Sequence, residues 1–164
     1  MFCVYIGLGS NVGNRLQHLT KAIHEIRTLG HIIRVSSVYE TTPVEMQSEN
    51  LFYNMAIALE THLKPKELLE QLKHIEHQLG RQPSTHLLDR AIDIDILLYE
   101  NIQYKNSIVE TPHPRLAYRR FALESLCEIA QNVPHPVSGK TIQELLRECP
   151  RQGRVERTIH NIIH

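Results

Sequence analysis

The chain has 164 residues, of which 41% are hydrophobic and 22% are charged, and its 18 basic residues balance its 18 acidic ones. This length and composition are typical of one ordinary globular domain. The zero net charge argues against binding to nucleic acid or to a membrane surface, because both would favour a basic excess.

The first two thirds of the sequence alternate between strand-like and helix-like segments. Residues 2–9 are an apolar run ending in glycines, which predicts a buried strand, and residues 14–30 have helical spacing between the N-cap candidate Asn14 and Gly30. The segments 31–40 and 52–61 predict two more strands around a polar loop over 41–50. A second helix, with Pro65 in its first turn and Gly80 at its end, leads through a polar loop to a strand over 92–99.

This β-α-β-β-α-β order predicts an α+β fold with a ferredoxin-like βαββαβ core, a mainly antiparallel sheet with helices packed on it. A hairpin or loop over 100–112, helical material near 115–130 and a last helix that begins at Thr141, in a capping box with Glu144, are C-terminal additions. We divide the chain into a single domain over 1–149 and a loosely held C-terminal tail over 150–164.

The glycine-containing segment "GLGSNVGNR" after the first strand could bind phosphate through its backbone. Val12, however, stands where a dinucleotide fingerprint needs its third glycine, and the Gly-Lys-Ser/Thr of a P-loop is absent. We therefore interpret the segment as a tight turn with Asn11 and Gly13 at special backbone angles.

Two carboxylates, Asp93 and Asp95, stand side by side on one face of the strand over 92–99, opposite an isoleucine-rich face. Like charges this close raise each other's pKa unless a cation lies between them. Such a pair suits Mg²⁺, or two metals about 3.5–4 Å apart as in phosphoryl transfer. A solvent-facing strand that happens to carry two acids is the alternative, although Leu97 and Tyr99 continue the same face. The spacing alone does not decide between them.

A basic segment, "ETPHPRLAYRRF" over 110–121, confines His113 between two prolines and adds several arginines. A Pro-rich loop before a basic helix start would explain it, but arginine forks also suit phosphate oxygens. With Arg81 and Arg90 before the acidic strand, cations flank the carboxylates on both sides in sequence. This set of residues is typical of an enzyme that binds a nucleotide with Mg²⁺.

Five segments together resemble one known family: "YIGLGSNVGNR", "SSVYETTP", "FYNMAIALET", "RAIDIDILLY" and "TPHPRLAYRRFALESLCEIA". In this order, from about residue 4 to 147, the sequence is similar to 6-hydroxymethyl-7,8-dihydropterin pyrophosphokinase of folate biosynthesis. The resemblance implies transfer of pyrophosphate from ATP to the hydroxymethyl group of the pterin, with release of AMP. The family's ferredoxin-like core agrees with the element order.

The resemblance also implies roles for individual residues. Two Mg²⁺ ions would be held by Asp93 and Asp95. The nucleotide, with ATP as co-substrate, would be bound by Glu76, Arg81, Arg90, His113 and Arg119. The pterin would be lined by Thr41, Pro43 and Val44, hydrogen-bonded by Asn54 and sandwiched by Phe52 and Phe121. The catalytic set would be Arg81, Arg90, Asp95, His113 and Arg119, with His113 or Asp95 as proton acceptor.

One segment departs from the family, "QPSTHLLD" over 82–89, where Leu88-Asp89 replace a Gly-Pro before Arg90. The corresponding segment is a mobile lid in the family. This departure keeps a non-catalytic pterin- or nucleotide-binding module open as an alternative, and a two-metal phosphohydrolase is a third reading.

Further expectations concern the setting of the protein. The N-terminus has no basic region or cleavage pattern, and no apolar run is long enough to cross a membrane, so we expect a cytoplasmic protein. The odd set Cys3, Cys127 and Cys149 predicts reduced thiols. Nothing marks a dimer interface, so we expect a monomer whose partners are small molecules.

Overall fold

The computed structural model describes residues 1–81 and 89–162. Its elements, in chain order, are β1 (Phe2–Ser10), α1 (Arg15–Ile26), β2 (His31–Val35), β3 (Tyr39–Thr41), β4 (Phe52–Thr61), α2 (Pro65–Gln78), β5 (Asp93–Tyr99), β6 (Tyr104–Lys105), β7 (Glu110–Thr111), α3 (Arg120–Ala130), α4 (Ile142–Glu148) and β8 (Val155–Arg157). Short 3-10 turns follow α1 and precede α3. The predicted lid over 82–89 lies outside the described residues except for Asp89.

An antiparallel sheet in the order β5-β1-β4-β3-β8 forms the centre of the molecule, and β2 also pairs with β4. One face packs Val4, Ile6 and Leu8 against α1 and α2. The other face packs the small Ala56 and Ala58 against α3, on which α4 packs in turn. The predicted α+β class, with helices on a mainly antiparallel sheet and helical additions after it, is confirmed.

The caps of the helices follow the sequence signals. The Asn14 side chain accepts a hydrogen bond from Gln17 N at 3.1 Å, as expected for an N-cap. Thr141 and Glu144 form the predicted capping box, with reciprocal bonds of 3.2 and 3.1 Å. β6 and β7 form a hairpin in the segment over 100–112, where the sequence predicts a hairpin or loop.

The predicted single strand over 31–40 is wrong, because the chain breaks into β2 and β3 at Ser36. There the Ser36 hydroxyl accepts the ladder hydrogen bond of Ala56 N at 2.9 Å, in the place of a backbone carbonyl. The next residue turns away from the sheet, and both Ser37 N and its hydroxyl donate to Glu128 on α3. Side-chain competition for backbone hydrogen bonds therefore divides the strand.

The acidic strand also departs from simple alternation at its end. The register with β1 shifts between Tyr5 and Ile6, which leaves Leu97 as an extra residue in β5. Leu98 therefore packs on the α3 side and Tyr99 on the α1 side, the reverse of the predicted faces. Asp93, Asp95 and Leu97 do share one face, as predicted.

Residues 155–157, within the predicted C-terminal tail, form the strand β8. β8 pairs antiparallel with β3, joining Thr41 to Val155 and Tyr39 to Arg157, and it extends the sheet by one strand. Glu128 strengthens this edge, since it accepts hydrogen bonds from the Tyr39 hydroxyl at 2.7 Å and from Arg157 at 3.4 Å. The division of the chain at residue 149 stays a prediction.

Of the two residues predicted to have special backbone angles, the structure confirms one. Gly13 has the predicted left-handed backbone, with φ of +68°, but Asn11 does not. Asn11 instead forms side-chain hydrogen bonds to the residues before β5.

The cysteines Cys3, Cys127 and Cys149 are free, as predicted. Within residues 1–81 and 89–162, no helix is long and apolar enough to cross a membrane.

Candidate active site

A cavity of about 440 Å³ opens between the first half of β5, the loop over 42–51 and the segment before α3. Most of the predicted site residues line it, namely Thr41, Val44, Phe52, Asn54, Arg81, Arg90, Asp93, Asp95, Arg119 and Phe121. Pro43, Glu76 and His113 do not line it. The sheet therefore brings residues from four separated segments to one place.

The carboxylate pair stands on the cavity face of β5, with arginines on both sides. Asp93 Oδ1 contacts the Arg81 guanidinium, and Asp93 Oδ2 lies 3.4 Å from Arg90 NH1. Asp95 Oδ2 lies 3.3 Å from Arg119 NH1. The arginines that flank the acidic strand in the sequence thus also lie on both sides of its carboxylates in the structure.

The two aspartates nevertheless differ electrostatically. Burial opposes the ionisation of Asp93, but Arg81, Arg90 and Lys73 outweigh it and lower the pKa of Asp93 below its ordinary value. Burial and the neighbouring Asp93 charge raise the pKa of Asp95 from 3.8 to about 6. One carboxylate is charge-balanced by the protein and the other is left short of positive charge, which a divalent cation would supply.

A buried carboxylate, Glu76 on α2, organises the cations behind the pair. It is 3% exposed, and its Oε1 accepts hydrogen bonds from Ile94 N at 2.7 Å and from Lys73 at 3.0 Å. The same oxygen lies 3.1 Å from Arg81 NH1. Glu76 thereby fixes the start of β5 and holds two cations toward the cavity.

His113 lies beside the cavity, and both of its ring nitrogens face N–H groups of described residues. Its Nδ1 accepts a hydrogen bond from Arg115 N at 3.1 Å, and its Nε2 lies 3.3 Å from Arg119 NH1. Burial, and next the Arg119 charge, lower the pKa of His113 from 6.5 to about 4. At neutral pH the ring is therefore uncharged, with its proton on Nε2 if Nδ1 is the acceptor.

An apolar part of the cavity lies next to the charged part. Phe52 and Phe121 line it, and their rings lie 5.8 Å from the guanidinium carbons of Arg90 and Arg119 respectively. Asn54 Nδ2 donates to the Thr41 hydroxyl at 2.6 Å, which fixes the amide plane. Aromatic rings beside a fixed amide suit a flat heterocycle with polar edges.

Gly9 explains why β1 ends in glycines at this place. A Cβ on Gly9 would lie 2.6 Å from Asn54 Oδ1 and 3.5 Å from the Phe52 ring. Only a residue without a side chain leaves the Asn54 amide and the Phe52 ring where they stand. The glycine segment thus serves the cavity by close packing.

Several cavity residues were not predicted, namely Thr42, Glu45, Met46 and Lys73, whereas Arg115 belongs to the arginines of the segment 110–121 that we interpreted as anion-binding. Lys73 precedes Glu76 by three residues on α2, so helical spacing offered a signal for it. Glu45 had none, because its position depends on a left-handed backbone with φ of +64° and on two distant arginines.

The fold and the cavity together define an α+β protein with a paired-carboxylate, arginine-lined pocket of the kind that suits a metal–nucleotide complex. The comparison with known families makes this specific. Residues 5–131 match 7,8-dihydro-6-hydroxymethylpterin-pyrophosphokinase (HPPK), and the chain belongs to that family.

Individual relatives agree with this membership. The chain is 40% identical over 163 residues to the 2-amino-4-hydroxy-6-hydroxymethyldihydropteridine pyrophosphokinase of Bacillus subtilis, covering 96% of each chain. It is 38% identical to the enzyme of that name from Aquifex aeolicus, covering 90% of this chain and 92% of the other. A Plasmodium falciparum HPPK-DHPS structure has the same fold at 18% identity and a TM-score of 0.75, over 90% of this chain but 44% of its own.

Proposed function

We propose that this chain transfers pyrophosphate from ATP to the hydroxymethyl group of 6-hydroxymethyl-7,8-dihydropterin, releasing AMP, as a step of folate biosynthesis. The family and the relatives named above are pyrophosphokinases. The observation that carries the proposal for this chain is the single cavity in which the Asp93–Asp95 pair and its arginines adjoin an aromatic pocket. The comparisons give no support to a non-catalytic binding module.

Asp93 and Asp95 would hold Mg²⁺, two ions in our proposal. The donor chemistry fits, because hard carboxylate oxygens suit Mg²⁺ and the raised pKa of Asp95 reflects charge that a cation would neutralise. Bound Mg²⁺ would shield the negative charge of the phosphates from the attacking oxygen. The same ions would compete with Arg81 and Arg90 for Asp93 and free those arginines for phosphate.

The triphosphate would lie over the cations of Arg81, Arg90 and Arg119, with Lys73 behind them. Among the described residues, the buried Nε of Arg119 has no hydrogen-bond partner, as expected at a site that receives an anion. Neutral His113 would donate its Nε2 proton to a phosphate oxygen rather than add a charge. Glu76 would act by positioning Lys73 and Arg81, since its carboxylate is buried beneath the cavity.

The pterin would lie between Phe52 and Phe121, with its polar edge on Asn54. In this position its hydroxyl oxygen attacks the β-phosphorus of ATP, the bond from that phosphorus to the α-phosphate oxygen breaks, and AMP leaves. The hydroxyl proton needs an acceptor, for which Asp95 and His113 are the two candidates at this end of the cavity. Alignment and charge neutralisation supply most of the acceleration in such reactions.

The test is a product assay with ATP, Mg²⁺ and the pterin alcohol. We expect AMP in a one-to-one ratio with pterin pyrophosphate, and neither product without the pterin. Asp93→Ala should abolish turnover, whereas Glu70→Gln, on the exposed face of α2, should retain it. ADP as the product, or phosphate release without the pterin, would reject the proposed reaction.

A further inference from the structure

The loop over 42–51 carries a carboxylate into the charged part of the cavity. Glu45 Oε1 lies 2.7 Å from Arg115 Nε, and Glu45 Oε2 lies 2.8 Å from Arg119 NH2. Each oxygen of one carboxylate thus takes a different arginine. This is how two oxygens of a phosphate group would bind the same pair, since both anions present two oxygens to guanidinium N–H groups.

The backbone of Glu45 indicates that these contacts hold the residue in place. Its φ of +64° lies in the left-handed region, which is unfavourable for residues other than glycine, asparagine and aspartate. No helix or strand imposes this conformation, because the residue lies in the loop between β3 and β4. The two ion pairs therefore offset an unfavourable local geometry.

Arg119 connects this contact to the rest of the site. Its NH2 binds Glu45, while its NH1 lies 3.3 Å from Asp95 Oδ2, so two carboxylates share one guanidinium. The N–H of Arg119 that Glu45 binds is not available to a third anion while the Glu45 carboxylate occupies it. Glu45 must leave before a phosphate oxygen takes that position.

We propose that Glu45 is an internal competitor of the nucleotide, a carboxylate that occupies Arg115 and Arg119 in the free protein and is displaced by the phosphates. This inference rests on the proposed function only in taking the arginines as the phosphate site. It assigns Glu45 and Arg115 to the determinants of nucleotide affinity. Because Val44 and Met46 flank Glu45 and line the cavity, displacement also moves the wall of the pterin pocket.

The experiment is calorimetric titration of the full chain with Mg²⁺ and a non-hydrolysable ATP analogue, and separately with inorganic pyrophosphate. Glu45→Gln keeps the shape of the side chain and removes its charge, so we expect about three- to tenfold tighter binding, the range for two partly exposed ion pairs. Glu49→Gln is the matched control, because it removes an exposed charge from the same loop. It should change the affinity by less than about twofold.

A double-mutant cycle separates competition from a general effect of charge. In an Arg115→Ala background, the gain from Glu45→Gln should fall, because one of its two partners is gone. Equal or weaker binding by Glu45→Gln than by the wild type, or an equal gain from Glu49→Gln, would overturn the inference.

The same titrations separate this inference from the proposed reaction. A wild type that forms no AMP with the pterin rejects the reaction and leaves the binding comparison to decide the role of Glu45. Absence of nucleotide binding in every variant would overturn both.

Discussion

Asp95 should destabilise the free protein, and its replacement by asparagine should raise the free energy of unfolding at pH 8. Burial and the Asp93 charge raise its pKa from 3.8 to about 6 in the folded state. Each pH unit between the two pKa values corresponds to about 1.4 kcal/mol, which sets an upper bound of about 3 kcal/mol. The side chain is 31% exposed, so solvent screening reduces the expected gain to about 1–2 kcal/mol.

The pH dependence follows from the direction of the shift. Because the folded state binds the proton more tightly than the unfolded one, the cost of Asp95 is complete above pH 6 and absent below pH 3.8. The advantage of Asp95→Asn should therefore fall to about half at pH 5. Urea unfolding at pH 8 and pH 5, without metal or nucleotide, measures both values.

Asp93→Asn is the matched control, since it lies two residues away on the same face of β5. The pKa of Asp93 is lowered although burial opposes this, because Arg81, Arg90 and Lys73 favour its charged form. Removing that charge should destabilise the protein by about 1–3 kcal/mol at pH 8, the opposite sign from Asp95→Asn. A loss of stability in Asp95→Asn at pH 8, or the same gain at both pH values, would refute the reasoning.

Three further changes test the pterin side of the cavity. Gly9→Ala would place a Cβ 2.6 Å from Asn54 Oδ1. We therefore expect at least about tenfold weaker pterin binding by calorimetry, with binding of the ATP analogue unchanged. Normal pterin affinity would show that Asn54 does not contact the pterin. Phe121→Ala should also weaken pterin binding about tenfold or more through the lost ring, and an unchanged dissociation constant would contradict the sandwich. Asp89→Ala removes the acceptor for Asn50 Nδ2 at 2.7 Å and should raise KM for the pterin with little change in kcat. A fall in kcat alone would contradict a positioning role.

The helices and the long strands were predictable because their signals are local. α1 and α2 show apolar residues at helical spacing with recognisable caps, and β1 and β4 are continuous apolar or alternating runs. β8 was missed for the opposite reason. A strand of three residues has too short a pattern, and its partner β3 lies more than 110 residues away in the chain.

The breaks in regular structure depended on specific atoms rather than on pattern. The division between β2 and β3 depends on the Ser36 hydroxyl, which takes the place of a backbone acceptor for Ala56 N. The exchange of faces at Leu98 and Tyr99 depends on the register with β1. Neither the alternation of β5 nor the composition of residues 31–40 carries this information, because both effects arise from the neighbouring strand.

The candidate site was predictable in its members but not in its pairing. Charges at Arg81, Arg90 and Arg119 could be read from the sequence as cations around the carboxylates. How these arginines are shared among the carboxylates could not be predicted, because it depends on how the 42–51 loop places Glu45. Because Glu45 also binds Arg119, Asp95 shares this guanidinium with a second carboxylate.

Burial and the charge of Asp93 raise the pKa of Asp95, whereas the cations around Asp93 outweigh its burial. Asp93 has Arg81 and Arg90 as partners, whereas Asp95 shares Arg119 with Glu45 and also feels the repulsion of Asp93. The free protein is therefore short of positive charge at Asp95 and has placed its own anion where phosphate would lie. In our proposal a complex of Mg²⁺ with ATP would correct both features together, because the metal would neutralise the carboxylate while the phosphates would replace Glu45. This charge arrangement would favour binding of the metal and the nucleotide as one unit.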